Sequence, residues 1–166
     1  MLLVSMIAIG FALAGPGAGY AEAHFSDLEF LVGDWQGEGT GIPGQGGGEF
    51  SFRWDLDRKV LVRTSSTDYP ATKDRPAFTH RDLMVVYRNT GGGGLRAIYY
   101  DNEEHVIDYT VAAAQGSGIV QFVNERFRLT YTKTSDSSVS IRFEIASWGG
   151  PASFSTYLEG TARRKP

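Results

Sequence analysis

The chain has 166 residues, a formal net charge of −3 and no cysteine. Its length suits a single domain, and the lack of cysteine excludes both a disulfide framework and a lipid-modified cysteine. Acidic and basic residues are close to balance, so the charge gives no reason to expect nucleic acid as a partner.

The first 23 residues have the pattern of a secretory signal peptide. Residues 2–13 are almost unbroken apolar sequence, and Ala21-Glu22-Ala23 is a small-x-small cleavage site, although no Lys or Arg precedes it. We therefore predict a signal peptide over residues 1–23, a domain over residues 24–166 and a periplasmic or secreted protein. The alternative is a retained membrane anchor. About 12 apolar residues are few for a span, so we expect no stable membrane span.

Residues 28–41 predict a short helix that leads directly into a first strand. Ser26 is a candidate N-cap, and Glu29, three residues later, completes a capping box. The apolar face of this helix consists of Leu28, Leu31 and Val32. Gly33 is the expected stop. Trp35 then begins a strand whose alternating glycines let a sheet bend, as the closure of a barrel requires.

Short strands separated by turns follow along the rest of the chain, after a glycine-rich loop at residues 41–48. The predicted strands span residues 49–56, 60–66, 81–88, 95–101, 105–113, 118–124, 126–133, 139–147 and 154–163. Residues 67–80 contain two prolines and show no periodic alternation of apolar and polar residues. We predict a loop there that is long enough to act as a lid or in binding. About ten short strands without a long amphipathic helix indicate a β-sandwich or a barrel.

Hydrophobic and charge matching predict the same registers in the hairpins. One hairpin pairs Leu95 with Val111, Ala97 with Tyr109 and Tyr99 with Ile107. This register places Asp101 opposite His105. Near the C-terminus, the apolar pairs are Leu129–Phe143, Tyr131–Ile141 and Phe143–Leu158. The same registers form the ion pairs Arg128–Glu144 and Arg142–Glu159, and this agreement supports them.

The opening FLVGDWQGEGTG resembles the Leu-x-Gly-x-Trp-x-Gly-x-Gly start of nitrobindin-like and fatty-acid-binding-protein-like barrels of the calycin group. The rest is similar to a bacterial family of lipocalin-like domains of unknown function. The stretches that carry this similarity are FTHRDLMVVYRNTGGGGLRAIYYDNEEHVIDYTV, RFRLTYT and FSTYLEGTARR. The resemblance implies an all-β fold: an antiparallel up-and-down barrel of about ten strands, with one short N-terminal helix and an apolar or mixed cavity.

The resemblance to nitrobindin also implies haem as a candidate cofactor, because those barrels hold haem through a histidine in a strand near the C-terminus. The corresponding residues 154–160 read FSTYLEG and contain no histidine. Tyr157 is the one candidate axial ligand there. The chain has three histidines, and a metal site would need further ligands in a fixed geometry. We therefore predict neither a cofactor nor a metal site.

Two groups of residues are candidates for ligand binding. The aromatic candidates on the predicted apolar faces are Trp35, Trp54, Tyr87, Tyr99 and Tyr109. They form either a packed core or the lining of a cavity that holds one small ligand. The charged candidates are Arg128, Arg142 and Glu144. If their face points inward, the arginines would bind an anionic head group; otherwise their ion pairs lie in solvent.

Two acid–histidine pairs are candidates for catalysis. His80 and Asp82 are two residues apart and share a strand face, and Asp101 faces His105 at a hairpin end. Our leading hypothesis is nevertheless an exported, non-catalytic barrel that binds a small hydrophobic or amphipathic molecule. One alternative is an enzyme that uses one of these pairs inside the barrel. Another is an envelope protein with a filled barrel and an exposed apolar patch for a partner.

Overall fold

The computed structural model describes residues 19–39, 48–74, 76–147 and 154–166. These residues form a closed antiparallel barrel of ten strands, β2 to β11, with an additional strand β1 and a short 3-10 helix, η1 (Phe25–Leu31). The strands are β1 (Tyr20–Glu22), β2 (Gly33–Glu38), β3 (Glu49–Asp55), β4 (Val60–Tyr69), β5 (Phe78–Arg88), β6 (Leu95–Asp101), β7 (Val106–Ala114), β8 (Ile119–Val123), β9 (Phe127–Ser135), β10 (Ser138–Ala146) and β11 (Phe154–Arg164).

The barrel has up-and-down topology, which confirms the predicted fold class. Each strand from β2 to β11 pairs with the next in the chain, and β11 pairs with β2 to close the sheet. The predicted β6–β7 pairs are present, namely Leu95–Val111, Ala97–Tyr109 and Tyr99–Ile107. So are the predicted charge pairs of β9 to β11, Arg128–Glu144 and Arg142–Glu159.

A β-bulge interrupts the pairing of β10 with β11. Phe143 pairs with Leu158, whereas the next residue, Glu144, pairs with Thr156. Tyr157 is therefore the extra residue of β11. Because a bulge re-aims the side chains beside it, Tyr157 and Leu158 both reach the interior at this end of the barrel, although they are neighbours in sequence.

The predicted capping box at Ser26 and Glu29 is wrong. The 3-10 helix begins at Phe25, and the backbone N–H of His24 donates to Oδ2 of Asp27 at 2.8 Å. The helix starts earlier because β1 pairs with β7 directly before it and fixes the chain at that point. The predicted end of the helix at Gly33 is confirmed, since the strand that follows the helix begins at this residue.

The predicted loop at residues 67–80 is too long by several residues at both ends. Strand β4 continues to Tyr69 and β5 begins at Phe78, so that only residues 70–77 connect them. The rings of Tyr69 and Phe78 stack with their centroids 4.8 Å apart, and the Thr79 hydroxyl donates to Asp68 at 2.6 Å. These cross-strand contacts extend the hairpin although its sequence lacks an apolar–polar alternation.

The predicted signal peptide overlaps the barrel at its C-terminal end. Strand β1 pairs with Ala112–Ala114 of β7, and β1 was not expected from the sequence. Ala23 is fully buried, and its backbone N–H donates to the carbonyl O of Val111 at 3.2 Å. Residues 1–18 of the predicted leader and most of the predicted glycine-rich loop lie outside the described residues.

The hydrophobic core fills the end of the barrel that η1 covers. Leu28 and Leu31 are fully buried, and they share a face because residues i and i+3 eclipse in a 3-10 helix. Trp35 is 1% exposed and donates from Nε1 to the carbonyl O of Leu31 at 2.7 Å. The guanidinium of Arg164 lies 4.4 Å from the centroid of the Trp35 ring and donates to the carbonyl O of Phe30 at 2.8 Å. The last strand therefore holds the helix on the barrel.

Candidate functional site

A cavity of about 520 Å³ occupies the end of the barrel opposite η1. Most of its lining comes from the half of each strand that lies beyond the core, on β4 to β7 and on β9 to β11, and Gly37 of β2 and Phe50 of β3 complete it. The volume falls in the range of pockets that enclose small organic molecules. The barrel is therefore packed at one end and hollow at the other.

One side of the cavity is an apolar wall built by β9, β10 and β11. Its side chains are Phe127, Leu129, Ile141, Phe143, Ile145, Tyr157 and Leu158. The rings of Phe127 and Phe143 stack with centroids 5.8 Å apart, and Tyr157 meets Phe143 edge-on at 6.1 Å. Aromatic rings in these arrangements hold one another in place and offer a firm hydrocarbon surface to a ligand.

The facing side is a polar wall on β4 to β7 and on the turn after β6. Its polar side chains are Arg63, Ser65, His80, Asp82, Tyr99, Asp101, Glu103, His105 and Tyr109, and the same strands also contribute Thr67, Tyr69, Phe78 and Ile107 to the lining. Strand alternation explains this grouping, because residues two apart on one strand point to the same side of the sheet. Strands β5 and β10 stand five places apart in the ring of ten, so the polar wall faces the apolar wall.

The deepest charges of the polar wall are Arg63 and Asp82, which form an ion pair. Their side chains are only 11% and 6% exposed. Burial alone would raise the pKa of the Asp82 carboxyl, but Arg63 and His80 hold that pKa below its usual range. The pairing fixes both side chains in position, although Nε of Arg63 has no hydrogen-bond partner among the described residues.

A chain of hydrogen bonds runs along the mouth of the cavity. His80 contacts Glu103 through Nδ1 at 2.7 Å and the Tyr99 hydroxyl through Nε2 at 3.1 Å. Tyr99 donates to Oδ2 of Asp101 at 3.2 Å, and Nδ1 of His105 lies 2.9 Å from the same oxygen. Glu103 and His105 are the solvent-exposed ends of the chain, whereas Tyr99 lies inside the cavity.

The charges of this chain shift the pKa values of its members. Asp82 raises the pKa of His80 to about 8 against the effect of burial, and Glu103 adds to the rise. His80 is therefore mainly protonated at neutral pH and donates from both ring nitrogens. Burial raises the pKa of the Tyr99 hydroxyl, and the carboxylates of Asp82 and Asp101 raise it further, so Tyr99 keeps its proton.

The structure separates the aromatic ligand-binding candidates into three groups. Tyr99 and Tyr109 line the cavity. Trp35 lies in the packed core, and Trp54 lies at the helix end, where Phe25 meets its ring edge-on at 5.1 Å. Tyr87 points away from the interior, because it follows the fully buried Val86 on β5.

The charged candidates lie on the outer face of the barrel. Arg128 alternates with Phe127 and Leu129, which line the cavity, so its side chain points to the opposite side. It forms a bidentate pair with Glu144 at 2.6 and 2.7 Å. Arg142 pairs with Glu159 at 2.7 Å on the same face, with both side chains half-exposed.

Both acid–histidine pairs line the cavity. Nε2 of His80 lies 3.7 Å from Oδ2 of Asp82, and Asp101 contacts His105 as described above. The sequence indicated each pair separately, and the structure shows that Tyr99 joins them. This connection depends on the pairing of β5 with β6, which no local pattern reveals.

Arg63 and Glu103 belong to the site but were not predicted from the sequence. Arg63 stands on β4 between residues that alternate weakly, so the sequence leaves its direction open. A signal was present, because a carboxylate on the inward face of a barrel strand, as at Asp82, requires a partner of opposite charge. Glu103 lies in the turn after β6, where sequence alone does not distinguish a solvated carboxylate from one that contacts His80.

The cavity residues do not fit a haem group. Both ring nitrogens of His80 are occupied by hydrogen bonds, and Nδ1 of His105 contacts Asp101. Tyr157, the candidate axial ligand, is 56% exposed at the rim. Within the described parts of the chain, no group of three or more His, Asp or Glu side chains could hold a metal ion.

Comparison with protein-family models and with curated proteins finds no match to this chain. Membership of a calycin-type family therefore stays a prediction, whereas the barrel fold is observed in the structure. In the portion that the structure describes, no helix has the length and apolar character needed to cross a membrane.

Proposed function

We propose that this chain is an exported barrel that binds a small hydrophobic or amphipathic molecule in its cavity. The observation that carries the proposal is the cavity of about 520 Å³ at one end of an otherwise packed barrel. A barrel whose purpose was purely structural would gain stability by filling this space with side chains. The apolar segment at residues 2–13 supports export.

The two walls favour an amphipathic ligand over a pure hydrocarbon. The apolar wall would bury the hydrocarbon part, at about 25 cal/mol per Å² of surface removed from water. The polar wall would be costly to cover with hydrocarbon, because its hydrogen-bonding groups would then lose their access to water. A molecule with one polar end satisfies both walls.

The test combines extraction of the native protein with a variant that fills the cavity. Protein isolated from its natural source should release an apolar or amphipathic compound into organic solvent, detectable by mass spectrometry. Ile141→Trp should abolish this binding because the larger ring occupies the cavity beside the apolar wall. Ile98→Trp is the matched control, since Ile98 follows the buried Ala97 and points outward. Repeated extractions that yield no compound would count against the proposal.

A second candidate function is acid–base catalysis in the same cavity. It is favoured by the position of His80 and Tyr99, which line the cavity and are hydrogen-bonded to carboxylates, as groups that exchange protons with a substrate often are. Under this reading His80→Gln and Tyr99→Phe would stop turnover of the extracted compound. If the wild-type protein leaves that compound chemically unchanged, the catalytic reading is rejected and the binding proposal stands.

A further inference from the structure

Tyr109 presents an unused hydrogen-bonding group to the cavity. The residue is only 2% exposed and lines the cavity, and its ring meets Phe122 edge-on with centroids 6.4 Å apart. Its hydroxyl has no hydrogen-bond partner among the described residues. Burial raises the pKa of this hydroxyl, so it stays protonated and able to donate. A buried hydroxyl that faces a cavity without a partner indicates that a partner comes from outside the chain.

The charges of the polar wall, in contrast, already have partners within the protein. Arg63 pairs with Asp82, and His80 pairs with Glu103. Asp101 accepts hydrogen bonds from Tyr99 and from the backbone N–H groups of the turn, and it also contacts His105. A charged ligand group would therefore have to break an existing pair in order to gain one of its own.

The sign of these charges disfavours an anion in particular. Among the described residues, three carboxylates line the cavity, those of Asp82, Asp101 and Glu103. Arg63, the one arginine of the lining in the part of the chain that the structure describes, is neutralised by the nearest of them, Asp82. An anionic ligand would meet repulsion from the two remaining carboxylates at the mouth, only partly offset by His80.

We propose that the ligand is uncharged and that an oxygen atom of the carbonyl or ether class accepts a hydrogen bond from Tyr109. Its hydrocarbon part lies against the apolar wall. This inference rests on the proposed binding function and adds the chemical class of the ligand. A neutral phenol donor matches a neutral oxygen acceptor, because such a bond leaves the ion pairs of the wall intact.

The test compares two probes of equal chain length, the ketone 2-nonanone and the carboxylate nonanoate. Their affinities are measured by isothermal titration calorimetry on the wild-type chain, Tyr109→Phe and Tyr87→Phe. We expect the ketone to bind more tightly than the carboxylate. Tyr109→Phe should weaken ketone binding about 2- to 10-fold, the loss expected for one neutral hydrogen bond. Tyr87→Phe removes the same atom on the outer face and should leave the affinity unchanged.

Three results would overturn the inference: tighter binding of nonanoate than of 2-nonanone, equal ketone affinity in Tyr109→Phe and the wild-type chain, or absence of ketone binding. The binding proposal would survive any of these if a native compound is still extracted and Ile141→Trp abolishes its binding. Because Tyr109→Phe keeps the buried ring, thermal unfolding of the variant should confirm that it folds.

Discussion

His80 and Glu103 lie 2.7 Å apart, Nδ1 to Oε1, and join β5 to the turn after β6 at the mouth of the barrel. The pKa of His80 rises from its ordinary value of 6.5 to about 8, first through Asp82 and then through Glu103. A raised histidine pKa means that the protonated ring stabilises the folded state. This contribution is complete below pH 6.5 and is lost as the pH rises through about 8.

We therefore expect the free energy of unfolding to fall between pH 6 and pH 9 by up to about 2 kcal/mol through this histidine. Urea unfolding at both pH values measures the fall, and the His80→Gln variant should lose most of it. NMR titration of the His80 ring gives the pKa directly. Glu103→Gln should bring that pKa closer to its ordinary value. An unshifted His80 in the wild-type protein would contradict the expectation.

Arg164→Ala should destabilise the barrel by about 1–3 kcal/mol. The substitution removes a cation–π contact and leaves helix carbonyl groups without their hydrogen-bond donor. Arg163 supplies a matched control one residue away. Its side chain is 74% exposed in a pair with Glu38, so Arg163→Ala should cost less than about 1 kcal/mol. Urea unfolding of both variants measures the difference. Equal losses would show that Arg164 does not hold η1 in place.

The ion pairs Arg128–Glu144 and Arg142–Glu159 on the outer face should differ in their importance. The Glu144 side chain is 10% exposed and accepts two hydrogen bonds from Arg128, whereas both members of the Arg142–Glu159 pair are about half-exposed. Glu144→Gln should therefore cost about 1–3 kcal/mol of unfolding free energy, and Glu159→Gln less than about 1 kcal/mol. Added salt should weaken the contribution of Glu159 more than that of Glu144.

A chain that begins at Gly19 should be more stable than one that begins at His24. The shorter chain lacks β1, its pairing with β7 and the fully buried Ala23. The loss of a few sheet hydrogen bonds and of one buried methyl group should lower the midpoint of thermal unfolding by several degrees. Differential scanning calorimetry of the two chains makes the comparison. Identical midpoints would show that residues 19–23 contribute nothing to the folded barrel.

The sequence predicts the barrel well where two kinds of information coincide. Arg128 faces Glu144 in the same register that joins Leu129 to Phe143, so the pairing of β9 with β10 has one consistent solution. Strand β1 lacks such support, because its composition is also that of a signal-peptide cleavage region. The end of β4 was missed because stacking of Tyr69 on Phe78 is a contact between strands, which alternation along one strand does not show.

The candidate site is predictable only in part. The spacing of His80 and Asp82 places them on one face, and the hairpin register brings Asp101 to His105. The direction of that face depends on closure of the whole sheet, which also decides that Tyr87 points outward and Arg63 inward. Whether aromatic residues fill a barrel or line a cavity depends on total volume, and volume is a property of the assembled strands.

The bulge after Phe143 has a practical consequence for protein engineering. It turns two adjacent residues, Tyr157 and Leu158, toward one compartment, at the rim that lies farthest from η1. Side chains at this rim contribute little to the buried core, which occupies the other end of the molecule. Substitutions at the rim should therefore change the lining of the cavity while the packed core, and with it the folding of the barrel, stays the same.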